Sequence, residues 1–314
     1  MLIGHSACLT NNWSNWLSKF IFSFHMPLFY IFSGYFFREQ SARTSIMTGV
    51  RKLVVPYIIT VCVGVGFVFI FSNKPAPEAV NWLKGALVGT LGNKNSAIRF
   101  WPLQVGPIWF LLSLYFCRIV FNFCYTHWRK HIVDITVALS IIFYYIGNHW
   151  INIPLCIGNG MSVLIFYLAG FQLKNRGGLQ PIKKVWILCA IWIFAICFTK
   201  LNCAQYIYTY YPLSVCGAIC GTIVVYRLCS YLPEFCIRSL AYVGRNALPV
   251  LCCHSVAFIT KNSFLEFLGY DASNRLYDDI AYMALTISFI VLYIIIRYIF
   301  VSVIKNGEES INLG

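Results

Sequence analysis

Long apolar runs, with charged residues confined to the stretches between them, constrain this chain more than any other feature. A helix needs about 20 apolar residues to cross roughly 30 Å of hydrocarbon at about 1.5 Å per residue. Such runs fall near 20–37, 54–72, 107–125, 132–148, 155–173, 185–200, 212–230, 246–260 and 280–304, and residues 1–9 read as the tail of a further one. The expected fold is an all-α integral membrane bundle of about nine full transmembrane helices plus a truncated first helix. Composition agrees, with 59% of the 314 residues hydrophobic and only 11% charged. A soluble protein carries about 25% charged residues, so a soluble globular domain is excluded.

A net charge of +14 in a soluble chain would point to nucleic acid. Here the basic residues sit between spans and form no stripe, so no nucleic-acid partner is expected. Counted over alternate loops, one set holds Arg38, Arg43, Arg51, Lys52, Arg129, Lys130, Lys174, Arg176, Lys183, Lys184, Arg227, Arg238, Arg245, Arg297 and Lys305. The other set holds Lys19, Lys74, Lys84, Lys94, Arg99, Lys200, Lys261 and Arg275. The richer set is cytoplasmic by the positive-inside rule. A bacterial cytoplasmic (inner) membrane is the expected location.

Most of the 14 cysteines lie inside apolar segments and read as small buried hydrophobes. No Cys/His group has zinc spacing, so no metal site is expected. The segment 73–106 is long enough to hold an interfacial amphipathic helix on the outer side, and 261–279 reads as a second outer loop carrying Glu266, Asp271, Asp278 and Asp279. There is no internal repeat of the transporter type and no appended soluble domain. Residues 1–314 therefore read as a single membrane domain that carries the function itself.

Ionisable groups at membrane depth are expensive and mark functional sites. Counted along the expected spans, His5, His25 and His254 each lie roughly 8 Å below the outer interface at about 1.5 Å per residue. Three imidazoles at one depth imply a shared polar cavity. His127, His131 and His149 fall near loop ends, where interfacial roles are ordinary.

The segment from Ser23 through His25, Met26 and Pro27 to Ser33, Gly34 and Phe37 is unusual on physical grounds. Pro27 removes a backbone donor beside a polar histidine, and Ser33-Gly34 permits close helix packing. Its FHMPLFYIFSGYFF closely resembles the signature of the membrane acyltransferase 3 family, in particular the branch similar to fucose 4-O-acetylases and other polysaccharide O-acetyltransferases. Four further stretches match in order: Ile3-Gly4-His5-Ser6, Arg51-Lys52-Leu53 leading to Pro56-Tyr57, Gly106-Pro107-Ile108-Trp109-Phe110-Leu111, and Gly244-Arg245-Asn246-Ala247-Leu248 with His254 beyond it.

The resemblance implies a membrane enzyme of roughly ten helices that moves an acetyl or other acyl group from acetyl-CoA to a hydroxyl of a cell-envelope or exported polysaccharide. His5 matches the family's first-helix histidine, the best candidate for the catalytic base, and His25 and His254 match polar positions. Such chemistry needs a base for a weakly acidic hydroxyl and donors for the oxyanion at the thioester carbon. Ser33, Trp109, Arg245 and Asn246 are the substrate or oxyanion candidates, and Arg51 and Lys52 the candidate contacts to the phosphates of coenzyme A.

Two departures accompany the match. The family's basic residue eleven places before its first-helix histidine falls upstream of Met1, so the domain is expected to be N-terminally truncated relative to the family. Gly49 stands where the family often has the first of two basic residues. The alternative function is a transporter or flippase for a sugar or lipid-linked saccharide, since aromatic-lined polar cavities also suit sugar passage.

Overall fold

The computed structural model describes residues 12–89, 106–151, 153–177, 185–270 and 275–311, and its order is helix after helix with one two-stranded hairpin. The helices are α1 (Asn12–Phe22), α2 (His25–Tyr35), α3 (Ala42–Phe71), α4 (Pro75–Val88), α5 (Trp109–His127), α6 (Ile132–His149), α7 (Ile157–Ser162), α8 (Leu164–Asn175), α9 (Val185–Phe198), α10 (Tyr211–Ser230), α11 (Glu234–Arg245), α12 (Ala247–Phe267) and α13 (Arg275–Ile311). Six described stretches are long and apolar enough to cross a membrane, and the bent pair of α7 and α8 makes up to seven. The protein is an integral membrane helical bundle.

The expected spans depart from these helices where a proline or a polar contact intervenes. The run near 20–37 is two short helices, α1 and α2, broken at Ser23-Phe24. Pro27 has no N–H to offer the Ser23 carbonyl, so the helical ladder cannot run through. Phe24 N–H instead reaches back three residues to Ile21 O at 3.4 Å, and Leu28 N–H restarts the ladder on Phe24 O at 2.8 Å.

The run near 54–72 begins earlier than hydropathy indicates, because the basic stretch before it is also helical. Ser41 caps α3 by accepting from the Thr44 N–H at 3.3 Å. Pro56 withholds a donor from the Lys52 carbonyl, and the helix answers with a π-helical turn over Val50–Val54 in which Val55 N–H bonds Val50 O. Such turns accommodate an interrupted ladder without ending the helix.

The run near 155–173 is bent by 47° between α7 and α8. The run near 185–200 is α9, an apolar helix of 14 residues. The 73–106 segment opens with α4, whose residues pack on α3 through the Tyr57 hydroxyl bonded to Ala86 O at 2.7 Å. The second outer loop is shorter than expected. Helix α12 continues to Phe267, and Lys261 on it pairs with Asp278 on α13 at 2.5 Å.

Helix α2 lies against α8 at backbone distance. A Cβ on Gly34 would overlap the Tyr167 carbonyl, and one on Gly170 would overlap the Ile31 carbonyl. This is the close packing that Ser33-Gly34 predicts, with Gly170 as the matching small residue. The main core then fills around α2, α5 and α8 with Tyr30, Phe121, Phe166 and Leu164, all fully buried.

Candidate functional site

Two cavities share helix α2, one at each end of it. The first, of about 240 Å³, is lined by Phe22, His25, Trp109, Asn202, Gln205 and Phe258 among others. His25 is the first residue of α2, placed there by the break at Phe24. Its Nδ1–H donates to the Ile21 carbonyl at 3.0 Å, a second donor to the oxygen that Phe24 N–H reaches at 3.4 Å. In the neutral ring this bond assigns the proton to Nδ1 and the lone pair to Nε2, the state a general base or hydroxyl acceptor requires. His25 is buried, and Phe22 meets its ring edge-on with centroids 4.8 Å apart.

The wall opposite comes from the connection between α9 and α10, which hydropathy alone reads as a loop. It is a miniature hairpin in which Leu201–Asn202 pairs antiparallel with Ile207–Tyr208 and Cys203–Gln205 forms the tip. Asn159 on α7, 1% exposed, holds it inside the bundle. Asn159 Nδ2 donates to the carbonyls of Cys203 (3.1 Å) and Ala204 (2.9 Å), and Tyr206 donates to Asn159 Oδ1 at 3.0 Å. Gly147 and Gly158 leave the space that the Tyr206 side chain fills. Burial pushes the Cys203 thiol up to about 12 and the Tyr206 phenol well above its usual range, so both stay neutral at physiological pH.

The second cavity, of about 390 Å³, lies at the basic end of the bundle and includes Ser33, Arg38, Gln40, Arg118, Asn122 and Tyr167 in its lining. Asn122 clamps the backbone of Gln40 at two points, accepting from its N–H at 3.1 Å and donating to its carbonyl at 2.9 Å. Lys174 Nζ donates to Phe37 O at 2.9 Å, so the connection carrying Arg38 is held at Phe37 as well as at Gln40. Arg118 sits nine residues from each end of α5, about 14 Å from either end at 1.5 Å per residue. Arg38 is exposed and Arg118 half-buried, and two guanidiniums lining one cavity attract anions. Between the cavities, Tyr30 and Ser113 are hydrogen-bonded at 2.8 Å and fully buried.

The structure distributes the residues singled out by sequence. His5 lies outside the described residues. His25 and Trp109 line one cavity together, which makes Trp109 the one oxyanion candidate beside an imidazole among the described residues. Ser33 lines the basic cavity, eight residues along α2 from His25. Arg245 and Asn246 line a third groove at the junction of α11, α12 and α13. Arg51 and Lys52 are exposed on the π-helical turn and line none of these cavities.

His254 lies on α12, away from the two cavities on α2. It lies thirteen residues before the end of α12 at Phe267, because the helix carries on through Lys261 where the span was expected to stop near 260. It does not line the His25 cavity. Its ring is 1% exposed and meets the Tyr282 hydroxyl at 2.5 Å from Nδ1 and 2.7 Å from Nε2. Phe258, one turn on, forms the wall between this pair and the cavity, with its ring 6.4 Å from that of Tyr282. His25 and His254 are thus neighbours across an aromatic wall and do not share one chamber.

Arg118 is the residue that sequence reasoning missed. The two loop sets account for every other lysine and arginine, and Arg118 falls in the middle of an expected span, near 107–125, whereas Arg227 and Arg297 fall nearer the ends of theirs. That is the signal by which the histidines were chosen.

The described helices make this a polytopic helical membrane protein with a histidine-lined cavity and an arginine-lined cavity on one helix. The particular family follows from the sequence: the family model described as an acyltransferase domain, acyltransferase 3, matches residues 1–304, and the chain belongs to that family. It is a membrane acyltransferase. No curated protein and no solved structure matches the chain.

Proposed function

We propose that the protein transfers an acetyl group from acetyl-CoA, entering at the cytoplasmic side, to a hydroxyl of a cell-envelope or exported polysaccharide on the other side of a bacterial cytoplasmic membrane. The observation that carries this reading is the placement of His25 and Ser33 at opposite ends of α2, each in its own cavity, the second with Arg38 and Arg118. Anionic phosphates suit the guanidiniums, and an uncharged hydroxyl suits imidazole, indole N–H and the amides of Asn202 and Gln205. About 12 Å of α2 separates the two, which the donor's thioester arm has to pass.

In the reaction the acceptor hydroxyl oxygen attacks the thioester carbon, its proton passes to an imidazole, and the carbon–sulfur bond breaks as the thiol leaves with that proton. We assign the base to His5 on the family resemblance. His25 accepts a hydrogen bond from a neighbouring hydroxyl of the acceptor and so orients it, and Trp109 donates its indole N–H to the developing oxyanion. A positioned general base contributes about 10² to 10⁴ in rate. Arg51 and Lys52, exposed at the basic end, serve the donor only at its approach.

Membranes incubated with radiolabelled acetyl-CoA and polysaccharide test the reading. Acceptor-dependent label in the sugar fraction supports transfer. Saccharide uptake without label identifies a transporter or flippase instead.

A further inference from the structure

The groove that holds Arg245 and Asn246 is not explained by acyl transfer. It has a volume of about 610 Å³ and is walled by α11, α12 and α13, with Tyr242, Arg245, Val250, Cys253, Ile294 and Arg297 among its lining. No residue of it belongs to either of the cavities on α2. Its polarity runs in one direction. Arg245, Asn246 and Arg297 lie at the basic end, and Arg297 Nη1 donates to Asn246 Oδ1 at 3.0 Å. Val250 and Cys253 follow Asn246 up α12 by four and seven residues, and Ile294 and Ile290 precede Arg297 on α13 by three and seven. At about 1.5 Å per residue both apolar walls extend from about 5 to 10 Å deeper into the bundle than the guanidiniums.

Helix α11 fixes the level of this groove in the bilayer. None of its residues is buried in the protein, yet Ile237, Leu240 and Val243 share one face while Glu234, Arg238 and Arg245 share another. A helix of this pattern lies in the plane of the interface with its apolar face in the acyl region. Arg245 at its end therefore stands at headgroup level. The outward surface of α13 beside the groove is apolar and exposed at Val291, Ile295 and Ile296, as a lipid-facing surface is.

We infer that this groove is a binding site for one anionic phospholipid of the cytoplasmic leaflet, its phosphate held between Arg245 and Arg297 and an acyl chain laid along Val250, Cys253, Ile290 and Ile294. A soluble phosphate ligand would use the arginines and leave the apolar walls unpaired, whereas a zwitterionic lipid would fill the walls and gain less from the charge. The bound lipid ties α11 to α13, which the protein itself joins in this groove through the Arg297–Asn246 bond. Arg238 is a built-in control, since it is on the same helix but is paired with Glu234 and does not line the groove.

The test is native mass spectrometry of the full-length protein released from vesicles of equal phosphatidylglycerol and phosphatidylcholine. Wild type is expected to retain one phosphatidylglycerol with about tenfold preference or more, as two cationic side chains at a membrane surface imply. Arg245→Gln with Arg297→Gln should bring the preference to near parity. Arg238→Gln, and the charge-conserving pair Arg245→Lys with Arg297→Lys, should keep it. The lysine pair covers the case in which the glutamine pair fails to fold, since a folded lysine pair without preference overturns the site. No preference in wild type, preference kept by the glutamine pair, or displacement of the lipid by excess acetyl-CoA would each overturn it as well.

Discussion

The Nδ1–H of His25 donates to the carbonyl oxygen of Ile21 at 3.0 Å across the break between α1 and α2. One bond thereby serves two purposes. It adds a side-chain donor to the carbonyl that Phe24 N–H also reaches and fixes which ring nitrogen carries the proton, with Trp109 on the same cavity wall. His25→Ala is expected to lower acetyl transfer at least about tenfold while membrane abundance stays near wild type, as befits a group that orients the acceptor. Quantitative immunoblotting beside the transfer assay checks this, and a parallel fall in both would make His25 a packing residue.

Arg118→Gln removes a guanidinium from the middle of α5 and is expected to raise KM for acetyl-CoA about tenfold or more with little change in kcat. A charged hydrogen bond to phosphate is worth about 1.5 to 3 kcal/mol. Arg118→Lys should recover part of the loss, because the point charge remains without the planar fork. Initial rates against donor concentration at saturating acceptor decide it. An unchanged donor KM would remove Arg118 from donor binding.

Tyr206→Phe leaves Asn159 Oδ1 without its phenolic partner in a buried site. The expected loss is about 1 to 3 kcal/mol of stability. Because the hairpin tip also walls the His25 cavity, acceptor KM should rise while donor KM holds. Thermal unfolding in detergent and acceptor titration give the two readouts. A stability loss with unchanged acceptor KM would separate the hairpin from acceptor binding.

Cys203 offers a pH test of the same hairpin. Its thiol is held up to about 12 by burial, whereas an unfolded cysteine ionises near about 8.5. The folded state therefore keeps a proton that the unfolded state releases. This group takes nothing from stability below about pH 8.5 and lowers it progressively as pH rises from there toward 12. At pH 8, peptide mapping after maleimide treatment should find Cys203 unmodified in wild type and modified in Asn159→Ala, with exposed Cys229 labelled in both. Ready labelling of wild-type Cys203 would contradict the buried hairpin.

Much of the architecture was legible because lipid demands long apolar helices, and Gly34 announced the close crossing with α8 by being small in an apolar run. Hydropathy counts residues, however, and does not see Pro27 dividing 20–37 or the Lys261–Asp278 pair that lets α12 continue. The hairpin between α9 and α10 was not legible at all, since its strands are two residues long and its position depends on Asn159, about 45 residues away in the chain. Arg118 is legible in the sequence as a cation in the middle of the apolar run 107–125.

The central claim, that α2 joins a donor cavity on one face to an acceptor cavity on the other, is tested most directly by sidedness. Sealed vesicles of known orientation are loaded with radiolabelled acetyl-CoA on the cytoplasmic side, with polysaccharide supplied only on the opposite side. The account predicts label on the acceptor in this arrangement, its loss in Arg118→Gln at low donor concentration, and no label when the donor is supplied on the acceptor's side alone. Transfer that requires donor and acceptor on the same side would contradict it.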